Sequence, residues 1–85
     1  MQVILSEKAK KDLAFFTASG NKNILKKIGE LVKSISETPF EGMGQPEALK
    51  YNLSGFWSRR INQEHRLIYN IQSELIEILS MRGHY

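Results

Sequence analysis

Residues 55–69 read GFWSRRINQEHRLIY. Aromatic and branched side chains alternate with polar ones through GFWSRRI and again through HRLIY, which is the two-residue period of half-buried strands. NQE between them supplies a turn, so the stretch predicts a β-hairpin. Alternate residues of a strand share a face. Phe56, Ser58 and Arg60 therefore go together, as do Trp57, Arg59 and Ile61. Leu67, Tyr69 and Ile71 fit core positions in the second strand, which leaves Arg66 on the opposite face. The adjacent arginines point oppositely, and only one of them can join a common site with Arg66. Charged side chains are rarely buried unless paired, so a hairpin carrying Arg59, Arg60 and Arg66, with His65 beside the last, needs a reason for them.

Working outward, EALKYN before the hairpin and ELIEILSMR after it are again short, branched or aromatic segments, set off by LSG and QS. They predict a strand meander. FEGMGQPE, with two glycines and a proline, is a connecting loop. Upstream the period changes. Ser6 is placed to cap a helix running to about Ser19, with Ala9, Leu13 and Phe16 on one face and Gly20 as its stop. Asn21 is placed to cap a second helix, whose Ile24, Leu25, Ile28, Leu31, Val32 and Ile35 form an amphipathic stripe. Thr38-Pro39 ends it, because a residue before proline is pushed out of the helical region. QVIL at residues 2–5 is a short opening strand. The expected fold is α+β, a single domain over residues 1–85, with a strand and a two-helix hairpin packed on one face of a mostly antiparallel sheet.

Composition narrows the function. The chain has 85 residues, 41% of them hydrophobic, and a net charge of +3, as suits a small globular protein with a mild preference for polyanions. It lacks cysteine and has two histidines without ligand spacing, so neither a disulfide framework nor a metal site is expected, and no cofactor. The apolar start is too short for a signal peptide and no run approaches a membrane span. A cytoplasmic, soluble protein follows. All four arginines fall after residue 58, whereas the lysines up to Lys33 lie on the two helices. Lysines there solvate an outer face. Arginine, a planar fork of donors, suits phosphate on a fixed surface.

Taken singly, the polar residues have ordinary explanations. Arg60 and Arg66 can pair with Glu47, Glu64 or Glu77. Trp57 and Phe56 belong in a core, His65 reads as structural or as a surface group, and His84 as a solvated tail residue. Taken together, they match the needs of RNA cleavage. There the 2′-hydroxyl loses a proton as it attacks the adjacent phosphate, the 5′-oxygen gains one as it leaves, and the phosphorane between them carries excess negative charge. A carboxylate and an imidazole can move the protons while arginines hold the phosphate.

The run TPFEGMGQPEALKYNLSGFWSRRINQEHRLIY and the terminal RGHY resemble the YoeB branch of the RelE-type bacterial toxins over essentially the whole chain. NLSGFWSRRI, EHRLIY and the final HY are specific to that branch. The resemblance implies a RelE-like, microbial-RNase-like fold and an mRNA endonuclease acting in the ribosomal A site. It also implies a cognate antitoxin of the YefM/Phd type, acidic and partly disordered. The partners it implies are thus the antitoxin, the ribosome and mRNA, with a homodimer favoured and operator DNA reached only through the antitoxin. Carried over by position, the proton acceptor falls on Glu47, the phosphate-binding arginine on Arg66, the proton donor on His84, and transition-state support on Tyr85. Lys50 and Arg60, with Arg59 beside it, fall on RNA-contacting positions. Glu47 and Lys50 differ in strand parity, so that strand must be irregular if both serve one site. The alternative is a non-catalytic toxin or co-repressor that binds a target such as gyrase, or operator DNA with its antitoxin.

Overall fold

The structure, a computed structural model, describes residues 1–83. Strand β1 (Gln2–Leu5) leads into helix α1 (Glu7–Ala18), then helix α2 (Lys22–Glu37). Strands β2 (Glu47–Ala48), β3 (Trp57–Arg60), β4 (Arg66–Gln72) and β5 (Leu75–Ser80) follow. The five strands form one sheet in the order β1-β5-β4-β3-β2. All neighbours are antiparallel except β1 and β5, which run parallel. The expected α+β architecture is present.

The helix ends form for the reasons the sequence suggests. Ser6 Oγ accepts the N–H of Ala9 at 3.0 Å and also donates to the carbonyl of Leu79 at 2.6 Å. One hydroxyl therefore caps α1 and ties it to β5. Gly20, at φ +69°, lets the chain reverse after α1, and Asn21 Oδ1 caps α2 through the N–H of Ile24. Thr38 leaves the helical region before Pro39.

The core lies between the helices and one sheet face. Ala9 and Phe16 of α1 and Ile24, Ile28, Leu31 and Ile35 of α2 pack on Leu67, Tyr69, Ile76 and Ile78. On β5, Ile76 and Ile78 pair with Ile71 and Tyr69 of β4, so inward positions meet inward positions. Tyr69 pairs with Ile78 but Ile68 with Ser80, leaving Leu79 as an extra residue at a bulge near the end of β5.

One expected strand is mostly absent. EALKYN keeps only Glu47–Ala48 on the ladder. The N–H of Leu49 still donates to Phe56, but the chain then leaves the sheet through a 3₁₀ turn at Tyr51–Leu53, with Tyr51 at φ +59°. Residues 50–55 are thus the loop of the β2–β3 hairpin. Residue alternation therefore does not apply to Lys50, and this is the irregularity that Glu47 and Lys50 require.

Candidate active site on the open sheet face

The face of β2, β3 and β4 turned away from the helices is set by strand register. Glu47 pairs with Ser58, and Arg60 pairs with Arg66. Because paired residues point to the same side, Glu47, Ser58, Arg60 and Arg66 share this face. Glu47, Lys50 and Arg60 are exposed and Arg66 is half-buried.

Arg66 is held in place. Its Nε donates to Ser58 Oγ at 2.9 Å and its Nη2 to the carbonyl of Gln45 at 3.2 Å. Ser58 is the cross-strand partner of Glu47 and Gln45 lies two residues before it, so the guanidinium is tied to the residue opposite Glu47 and to the chain leading into it. Among the described residues no ion pair joins either Glu47 or Glu77 to Arg60 or Arg66, whereas Lys8–Asp12 and Lys10–Glu7 pair on α1. Two like charges directly opposite on neighbouring strands repel one another. An anion placed between them would relieve that repulsion.

Arg59 corrects the expectation that it contacts RNA. It is fully buried on the helix side of β3. Its Nε donates to Tyr69 Oη at 3.1 Å, and its Nη1 to Ser34 Oγ at 2.7 Å and the Met43 carbonyl at 3.0 Å. Its Nη2 donates to the carbonyls of Thr38, at 2.6 Å, and Glu41, at 2.9 Å. Tyr69 in turn donates to the Pro39 carbonyl at 2.6 Å. Burial, which outweighs the neighbouring charge of Arg59, pushes the Tyr69 phenol above its usual pKa. These donors gather the loop of residues 38–43 around one cation. Gly44 completes the loop at φ +85°, where an added Cβ would lie 2.8 Å from Leu31 and 3.1 Å from the Arg60 carbonyl. The loop delivers Glu47 to the open face, so Arg59 serves the site from behind the sheet.

Asp12, Ser58 and His65 are further contributors that the sequence pattern did not single out as site residues. Asp12 is buried on α1, and its Oδ2 accepts from Lys8 Nζ at 2.8 Å and from the N–H groups of Met81 at 3.0 Å and Arg82 at 3.1 Å. Burial alone would raise its pKa, but these bonds and the Lys8 charge overcome it and hold the carboxyl below the ordinary value. A carboxylate on the apolar stripe of α1, four residues after a lysine, was the available signal. His65 Nδ1 accepts the N–H of Gly83 at 2.9 Å, and its ring meets Phe16 edge-on. His65 is structural, as expected. Trp57 packs against the core and beside Phe40. The sequence places His84 and Tyr85 immediately after Gly83, and both lie outside the described residues.

Among the described residues no cluster of His, Cys, Asp or Glu could hold a metal ion, and no helix is long and apolar enough to cross a membrane. The arrangement offers an exposed carboxylate and a fixed guanidinium on one face, a second arginine opposite the first, and a lysine on the adjoining loop. That is a surface able to accept a proton and hold a phosphate.

A family model described as YoeB-like toxin of bacterial type II toxin-antitoxin system matches residues 5–85. The toxin YoeB of Escherichia coli K12 is 49% identical over 85 residues, covering 100% of both chains. Among solved structures, the toxin of a YoeB-YefM complex from Staphylococcus aureus superposes with a TM-score of 0.91 at 45% identity, covering 100% of this chain and 98% of that one. A YoeB dimer from the same organism superposes with a TM-score of 0.92 at 44% identity and the same coverage.

Proposed function

The chain belongs to the YoeB-like toxins of bacterial type II toxin–antitoxin systems, and from that premise we propose that it is a cytoplasmic endoribonuclease that cuts mRNA in the ribosomal A site. The observation that carries this reading is the register that sets Glu47, Arg60 and Arg66 on one open face, with Arg66 held by Ser58 and Gln45.

In the proposed reaction Glu47 takes the proton of the 2′-hydroxyl as that oxygen attacks phosphorus. Arg66 holds the phosphate and stabilises the phosphorane, with Arg60 and Lys50 gripping the flanking backbone. His84 gives a proton to the leaving 5′-oxygen, and Tyr85 supports the transition state. The products are a 2′,3′-cyclic phosphate and a free 5′-hydroxyl. Protons and charge balance with these side chains alone, without a metal ion or cofactor. Glu47 is exposed in the free protein, so the ribosome is assigned the task of enclosing the reacting atoms and orienting the mRNA.

An acidic antitoxin segment of the YefM type is the proposed partner in the silent state, its carboxylates standing in for phosphates at Arg60 and Arg66. Pairing of two toxin chains, as in the staphylococcal dimer, is proposed for this chain too. Operator DNA is reached through the antitoxin.

The test compares naked mRNA with the same mRNA on ribosomes. Cleavage of the ribosome-bound message, lost in Glu47→Gln while ribosome binding is kept, is the expected result. Equal cleavage of naked mRNA would make the chain a general ribonuclease. Full activity of a folded Glu47→Gln protein would remove the proton acceptor.

A further inference from the structure

The ladder of β5 ends at Ser80, yet the backbone beyond it stays bonded through side chains from two other elements. Asp12 of α1 takes the N–H groups of Met81 and Arg82. Lys8, paired with Asp12, reaches the Arg82 carbonyl at 3.3 Å. From the start of β4, His65 Nδ1 takes the N–H of Gly83 at 2.9 Å, and the N–H of Arg66 donates to the Gly83 carbonyl at 2.8 Å. Thus both polar backbone groups of Gly83 are held by the pair His65-Arg66. The next two residues in the sequence are His84 and Tyr85.

The His65 bond specifies its chemistry. In this bond Nδ1 acts as the acceptor, offering its lone pair to the Gly83 N–H. The edge-on contact with Phe16, with centroids 5.1 Å apart, fixes the ring's plane. His65 thus aims a lone pair at one amide. Its neighbour Arg66 turns a guanidinium toward the site from the same strand start. A dipeptide with this geometry ties the position of the phosphate holder to that of the tail.

We infer that His65 is a positioning residue for cleavage: with Asp12 it fixes the path of residues 81–83, the stem that His84, the proton donor of the proposed reaction, follows in sequence. The inference rests on the acid–base reading above. The inference gives His65 no proton to transfer: its Nδ1 is engaged by the Gly83 N–H.

The experiment uses the full chain on mRNA-programmed ribosomes under single-turnover conditions. His65→Phe keeps a ring against Phe16 but has no acceptor, whereas His65→Asn puts an amide oxygen close to the Nδ1 position. The phenylalanine variant is expected to lose about tenfold or more in maximal cleavage rate, as misplacement of a reacting group does. The ribosome concentration at half-saturation should stay within about twofold, and asparagine should restore most of the rate. In a His84→Gln background His65→Phe should cost nothing further, because the group it places is already gone. If the phenylalanine variant melts below the assay temperature, His65→Gln, which moves the acceptor away from Gly83, carries the same readouts.

A wild-type rate for the folded variant would overturn the inference. So would a failure of asparagine to rescue, or an equal loss in the His84→Gln background. If His84→Gln alone cleaves normally, the acid–base reading fails first and this inference falls with it. A crippled His84→Gln beside a normal His65→Phe would remove the positioning role only.

Discussion

Arg59 and Arg60 are consecutive residues of β3 that face opposite environments. Arg59 points toward the helices, is fully buried, and gives its donors to Ser34, Thr38, Glu41, Met43 and Tyr69. Arg60 points the other way, is exposed, and stands opposite Arg66. A buried guanidinium without partners would cost several kcal/mol, and the fold offsets that with backbone carbonyls rather than a carboxylate. The same residue type is an internal staple on one face and, in the proposed reaction, an anion-binding group on the other. Among the described residues no carboxylate is paired with Arg60 or Arg66, and it is there that the proposed chemistry lies.

The contrast breaks first at Arg59. Arg59→Ala should destabilise the protein by about 3–5 kcal/mol, because it leaves buried acceptors in the 38–43 loop unpaired. Chemical denaturation followed by tryptophan fluorescence measures this, and a change below about 1 kcal/mol would mean that the loop holds itself. Gly44→Ala attacks the same loop from its other end. With a Cβ forced against Leu31 and the Arg60 carbonyl at positive φ, a loss of about 2–3 kcal/mol is expected in the same assay.

Asp12 sharpens the picture through pH. Its folded pKa lies below the ordinary value of 3.8, so its contribution is complete above that value. It is lost as pH falls through the lower, folded pKa. Asp12→Asn should therefore lower stability by about 1–3 kcal/mol at neutral pH, with the gap to wild type closing in acid. A gap that widens as pH falls would contradict the charge-assisted anchor. The smallest structural effect belongs to Arg60. Arg60→Ala should change stability by no more than about 0.5 kcal/mol. In ribosome-binding titrations it should reduce the salt slope by about one ion.

Much of this was readable before the fold was known, for definite reasons. The period of two in GFWSRRI and HRLIY separates Arg59 from Arg60 and sets Arg66 opposite the core positions of its strand, whereas it is the β3–β4 register that puts Arg60 with Arg66. The stripe from Ile24 to Ile35 and the flanking Asn21 and Thr38-Pro39 delimit α2 in the same way. Arg59's role was not readable, because several of its acceptors are main-chain carbonyls, which no letter of the sequence marks. The path that brings them together depends on Gly42 and Gly44 at positive φ. The early end of β2 also follows from tertiary pairing, since EALKYN has the composition of a longer strand. Asp12 was visible but disguised: with Lys8 four residues earlier it looks like a surface helix pair, and only the end of β5 shows what it holds.

The most direct test of the two-faced arginine arrangement is Arg66→Ala, with melting temperature, ribosome affinity and single-turnover cleavage measured on the same preparation. The protein should remain folded and bind ribosomes, and cleavage should fall by about a hundred- to a thousandfold, the usual loss when a transition-state anion loses its donor. Cleavage at the wild-type rate by a folded Arg66→Ala protein would show that the open face of this sheet is not where the phosphate is held.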